Sequence, residues 1–108
     1  MMNDTMLEIK AFCDWFVQNN DAIIQSVDTN NQELALKYQE TFETGLNNIF
    51  KNFYKGKIKF GYGFDHKTNK WTLDLCHMNK KNLVQIVKLI KEELSQHLDD
   101  RWVVNISR

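Results

Sequence analysis

The chain has 108 residues, with 14 basic and 14 acidic side chains, so its formal net charge is zero. A neutral sum argues against nucleic-acid binding by bulk electrostatics, which normally shows as a basic excess. Hydrophobic residues make up 43% of the chain and aromatics 12%, enough for a single domain over residues 1–108 to fill a core without disulfide or metal staples.

No stretch resembles a signal peptide, and the apolar runs are too short to span a membrane. The expected location is the cytoplasm. Cys13 and Cys76 belong to no CxxC pair, so both are expected as free thiols. Proline is absent, and nothing reads as a linker, repeat or low-complexity tract.

Asn3, Asp4 or Thr5 can cap a first helix, with Glu8 completing a capping box after Thr5. Met6, Ile9, Phe12, Cys13, Phe16 and Val17 share one helical face, and Leu7, Ala11 and Trp15 form a second stripe. Asn19-Asn20-Asp21 interrupts the pattern, Ala22–Val27 continues it briefly, and Asp28-Thr29-Asn30-Asn31 reads as a turn. Asn30 or Asn31 caps a long second helix that stops near Lys55-Gly56. Gly45 falls in the middle of its apolar face. A glycine there costs about 0.5–1 kcal/mol against alanine, which points to a close approach of another helix.

From Lys57 the period changes to two. Ile58, Phe60, Tyr62 and Phe64 alternate, Asp65–Asn69 turns, and Trp71, Leu73, Leu75 and His77 alternate again. This is an antiparallel hairpin. Asn79 caps a third helix with Leu83, Val84, Ile86, Val87, Ile90, Leu94 and Leu98 inward, and Trp102, Val104 and Ile106 form a last strand. The order α-α-β-β-α-β predicts an α+β two-layer sandwich with helices on one face of a three-stranded, mainly antiparallel sheet. A right-handed crossover joins the last two strands. The preferred strand order is 2-1-3, which makes the first strand central.

Alternation then assigns the surfaces. The strand aromatics Phe60, Tyr62, Phe64, Trp71 and Trp102 share the core parity. The other face carries Lys59, Gly61, Gly63, Asp74 and Cys76, a short, polar, glycine-bearing surface for a protein partner. It lacks the exposed aromatics of an RNA-reading sheet. Gly61 and Gly63 could instead mark a bulge. Trp15 is a second partner-facing candidate. Lys80 and Lys81 open a helix whose dipole favours acids, and with Lys59 they could contact an anion. Cys76 and His77 are neighbours on one strand and point to opposite faces. No metal-ligand spacing, phosphate loop or nucleophile motif occurs, so no metal, cofactor or catalytic residue is assigned.

Phe12, Trp15-Phe16 and Asn19 form an F-x-x-W-F-x-x-N opening, and Arg101-Trp102-x-Val104 closes the chain. The combination resembles small uncharacterised bacterial α/β domains with the same order of elements. Those relatives carry a proline before the R-W, where this chain has His97-Leu98-Asp99-Asp100. The resemblance implies a fold and no activity. The leading expectation is a non-catalytic interaction module that binds a protein partner or a second copy of itself, with no nucleic acid or membrane. The alternative is a small-molecule or anion binder, and a third reading is an enzyme centred on Cys76.

Overall fold

The computed structural model describes residues 2–108, with side chains from Asp4 onward. Its elements are α1 (Met2–Asp28), α2 (Gln32–Phe50), β1 (Phe60–Asp65), β2 (Lys70–Cys76), α3 (Lys81–His97) and β3 (Trp102–Ser107). The expected order α-α-β-β-α-β is therefore present. The chain divides into two compact units, Met1–Ile49 and Phe50–Arg108. Among the described residues no helix is long and apolar enough to cross a membrane.

In the first unit α1 runs unbroken for 27 residues, so the expected interruption at Asn19-Asn20-Asp21 does not occur. The asparagines satisfy themselves inside the helix. Asn19 Nδ2 donates to the Trp15 carbonyl at 2.8 Å and Asn20 Nδ2 to the Val17 carbonyl at 2.6 Å. Back-bonding of this kind lets a polar residue sit mid-helix. The capping box also fails, because the helix already runs from Met2 and Thr5 is buried within it. The Asn3 side chain lies outside the described residues.

Asn30, at φ 55°, ends α1 in the left-handed region that suits asparagine after a helix. Asn31 Oδ1 then accepts the Leu34 N–H at 3.2 Å and caps α2 as expected. That helix stops at Phe50, short of Lys55-Gly56. The Phe50 carbonyl takes both the Phe53 and Tyr54 N–H groups, at 2.8 and 2.9 Å, which closes the last turn. Between α1 and α2 the rings of Phe16 and Phe42 meet edge-on at 4.9 Å. Gly45 lies where a Cβ would come within 2.8 Å of Phe12 Cδ1. The close approach inferred from sequence is real.

In the second unit the strand order is β1-β2-β3, not 2-1-3. β1 pairs antiparallel with β2, and β2 pairs parallel with β3. The sheet is mixed, and the glycine-bearing strand is an edge. Cross-strand side-chain pairs explain the order. Opposite β2, β3 sets Trp102 against Trp71, with ring centroids 5.7 Å apart. On the other face Asn105 Nδ2 donates to Asp74 Oδ1 at 3.0 Å. Beside β1, Asn105 would fall on the face of Gly61 and Gly63 and find no side chain.

The parity of the strands is as read from sequence. Phe60, Tyr62 and Phe64 stand opposite Leu75, Leu73 and Trp71, which in turn neighbour Ile106, Val104 and Trp102. Trp71, Leu73, Leu75, Trp102 and Val104 are buried, together with Leu83, Ile86, Val87, Ile90 and Leu94 of α3, whereas Val84 and Leu98, also expected inward, are only half-buried, Leu98 lying just past the helix end. One aromatic departs from the pattern: Phe64, near the hairpin turn, is 37% exposed, edge-on to Trp71 at 5.6 Å. Asn79 does not cap α3. Met78 and Asn79 both take positive φ, 54° and 58°, in the turn that leaves β2, and the N-cap is Lys80, with no side-chain cap.

Candidate functional site

The face of the sheet opposite the core is built from alternating residues of three strands. Gly61 is level with Asp74 and Gly63 with Thr72, and across β2 the neighbours are Asn105 and Val103. The pairing from Phe60↔Leu75 to Asp65↔Lys70 is unbroken, so the glycines mark no bulge. Neither has a positive φ. A methyl group at either position would meet no atom within 4 Å. Conformation and crowding therefore leave both glycines unexplained, and what they produce is bare backbone at an accessible strand.

The rest of this face is polar and self-satisfied. Asp74 accepts from Asn105, and Cys76 Sγ lies 3.3 Å from Ser107 Oγ. Val103, 40% exposed, is its apolar contact point. Lys59 is exposed, and its carbonyl accepts the Cys76 N–H at 3.2 Å. The structure thus brings together Lys59, Gly61, Gly63, Asp74 and Cys76. Trp15 belongs to the other unit.

Cys76 has a hydroxyl beside it, not an imidazole. His77 faces away, and its Nδ1 accepts the Asn79 N–H at 3.1 Å, which leaves Nε2 to carry the proton of the neutral ring. The remaining histidines are spoken for locally. His66 stacks edge-on with Phe64 at 5.0 Å, and His97 Nε2 meets Glu93 at 3.0 Å. Among the described residues no group of three or more His, Cys, Asp or Glu could hold a metal ion.

Three ionisable groups respond to their surroundings. The Lys67 N–H and Thr68 hydroxyl hold the Asp65 carboxyl below its ordinary range. The Arg101 side chain does the same for Asp99, with an N–O distance of 2.7 Å. Burial raises the Tyr62 phenol. The two carboxylates organise turns at one end of the sheet and belong to no reactive cluster.

The opposite end of the sheet is different. β1 begins there, and β2 and β3 end there. His77 N–H bonds the Ser107 carbonyl, Lys80 N–H the His77 carbonyl, and Asn82 Nδ2 the Phe53 carbonyl. These links gather Lys55, Lys57, Lys59, Lys80 and Lys81 around one rim. All five are exposed. Lys80 and Lys81 sit at the positive end of the α3 dipole, where acids would stabilise the helix by about 0.3–1 kcal/mol each.

Trp15 is half-buried and is part of an aromatic cluster. It stands edge-on to Phe42 at 5.2 Å, with Phe12 at 6.2 Å and Tyr38 at 6.4 Å. It also lines a groove of about 280 Å³ between α1 and α2, with Glu8, Phe12, Thr44, Gly45 and Asn48. Sequence reasoning missed this groove. Its signal was Gly45, whose missing side chain lets α1 and α2 approach on one side and leaves the cleft alongside.

No family model, curated protein or solved structure matches the chain, so the roles argued below rest on its own residues.

Proposed function

We propose that the protein is a non-catalytic interaction module that docks a protein partner, a second copy being the simplest, on the open face and β1 edge of its sheet. The observation that carries this reading is the open space over Gly61 and Gly63. Glycine weakens a strand and offers nothing to pack. Two of them on one face, in regular pairing and uncrowded, suit a surface that another backbone approaches closely. Val103 gives that surface an apolar anchor, and the Asp74–Asn105 and Cys76–Ser107 pairs frame it.

Light scattering across the micromolar range tests the reading. Self-association that disappears in Gly61→Lys and Val103→Lys, with helical circular dichroism unchanged, is the expected result. A strict monomer that also retains no protein on affinity purification overturns it.

The groove beside Trp15 favours a second reading, a binder of small apolar molecules. Its volume of about 280 Å³ is near the lower end for ligand pockets, roughly 300–1,000 Å³. A thermal-shift screen with a metabolite library should give a stabilising class of compound that is lost in Gly45→Leu. No hit in that screen removes this reading.

A further inference from the structure

The neutral total conceals a division of charge. Residues 1–49 hold 2 basic and 8 acidic side chains, and residues 50–108 hold 12 basic and 6 acidic. The two units thus carry opposite formal charges of equal size. At about 0.1 M salt, charges farther apart than about 10 Å are largely screened, so a contact responds to the local excess and not to the chain total.

Within the second unit the charge is divided again. Asp65 lies at the hairpin end, Asp99 and Asp100 precede β3 at that same end, and Glu92 and Glu93 fall in the later half of α3; the sixth acid, Asp74, is on the open sheet face, held by Asn105. The rim of Lys55, Lys57, Lys59, Lys80 and Lys81 lies at the other end, and none of the five is in an ion pair among the described residues. Residues 50–64 and 75–91 contain no aspartate or glutamate at all.

We propose that this lysine rim binds the phosphate backbone of double-stranded nucleic acid without reading its sequence. The choice of cation separates this from a protein partner. Lysine is depleted in protein interfaces and arginine enriched, and the rim is built of lysines. Lysine serves phosphate as a mobile point charge. The choice of duplex over single strand follows from the aromatics. Single-strand binding depends on rings free to stack with bases. The tyrosine within the rim, Tyr54, folds over Gly56, and the strand aromatics have core parity. This surface shares only Lys59 with the Gly61–Val103 face, and the variants below keep Lys59, so either proposal can fail alone.

The test is fluorescence anisotropy of the full chain with a labelled DNA duplex, the matching RNA duplex and one single strand. Both duplexes should bind at low salt, and more tightly than the single strand. Neutralising about four phosphates gives a log–log salt slope of about −3.6, so affinity falls about 150-fold between about 50 and 200 mM salt. Lys55→Glu/Lys57→Glu/Lys80→Glu/Lys81→Glu should abolish binding with circular dichroism unchanged, and the quadruple glutamine variant guards against misfolding. Lys67→Glu/Lys70→Glu/Lys88→Glu/Lys91→Glu makes the same net change within the second unit, away from the rim, and should bind like the wild type. The proposal is overturned by absence of duplex binding at about 50 mM salt, by equal loss in the two glutamate variants, or by preference for the single strand. Displacement of the duplex by polyglutamate at equal charge concentration also overturns it, since the rim would then be a site for acidic protein.

Discussion

Substitution of Gly45 by alanine sets two effects of known size against each other. In an exposed helix interior alanine is favoured over glycine by about 1 kcal/mol. Here the new Cβ would stand 2.8 Å from Phe12 Cδ1, well inside van der Waals contact. Phe12 is 5% exposed, with Trp15, Phe16 and Phe42 rings centred 6.2, 6.4 and 5.8 Å away, so it is fenced on three sides and can yield only toward the groove it lines with Gly45. Overpacking of this kind costs about 1–3 kcal/mol. The net expectation is a loss of about 1 kcal/mol. In a Phe12→Leu background the ring edge is gone, and the same substitution should become stabilising by up to about 1 kcal/mol, a coupling of about 2 kcal/mol. Urea unfolding followed by far-UV circular dichroism measures all four corners of the cycle. For a slope of about 1–2 kcal/mol per M, the single substitution lowers the midpoint by about 0.5–1 M. A wild-type background in which Gly45→Ala raises the midpoint would refute the close-approach argument and leave only propensity.

In the unassociated chain, at concentrations too low for self-association, Gly61→Thr and Gly63→Thr should each stabilise the sheet by about 0.5 kcal/mol, because threonine suits a strand better and nothing within the chain crowds either site. Destabilisation in thermal melts would show that the space over β1 is filled. Trp102→Ala should cost about 3–5 kcal/mol, since the ring is 6% exposed and packs, tilted, against Trp71. A loss below about 1 kcal/mol in urea titration would mean that the parallel ladder contributes little. The pH dependence has two limbs. The Asp99 carboxyl is depressed in the folded state, so its stabilisation is complete above the ordinary value of 3.8 and is lost as pH falls through the folded value. The Tyr62 phenol is raised, so stability drops as pH climbs past 10.0. Melting temperatures should show a shallower acid limb in Asp99→Asn and a shallower alkaline limb in Tyr62→Phe, and unchanged limbs would count against both assignments.

Much of the architecture is legible because periodicity records burial. The inward residues of α3, the hairpin and the last strand all follow from spacing, and so does Gly45, whose cost in a helix demands a reason. Strand order is not recorded that way. Trp102, Val104 and Ile106 have the same parity beside either neighbour, and the deciding partners, Trp71, Asp74 and Cys76, are non-local. The break expected at Asn19-Asn20-Asp21 failed because an amide can satisfy itself on its own helix, which composition does not reveal. On the candidate surface, parity gathered Lys59, Gly61, Gly63, Asp74 and Cys76 correctly. Trp15 was ambiguous, since a stripe at i, i+4, i+8 looks the same whether it meets solvent or another helix, and it lies half-buried against Phe42 of α2. Of the lysine rim, Lys59, Lys80 and Lys81 were legible as a local cluster, while its extent to Lys55 and Lys57 stayed hidden in a sum of zero, because charge counted over a whole chain carries no position.

The parallel pairing of β2 with β3 also sets an order of events. The β1–β2 hairpin closes over a few residues, an event of microseconds. The partner of β2 on its other side lies 31 residues away, as in Asp74–Asn105, and cannot zip up from a turn. It must wait until α3 has formed and crossed the sheet. Until then β2 keeps one edge open, with Trp71, Leu73 and Leu75 exposed beside it. At high protein concentration the strand that fills this slot can come from another molecule, and the same crossover then joins two chains by strand exchange.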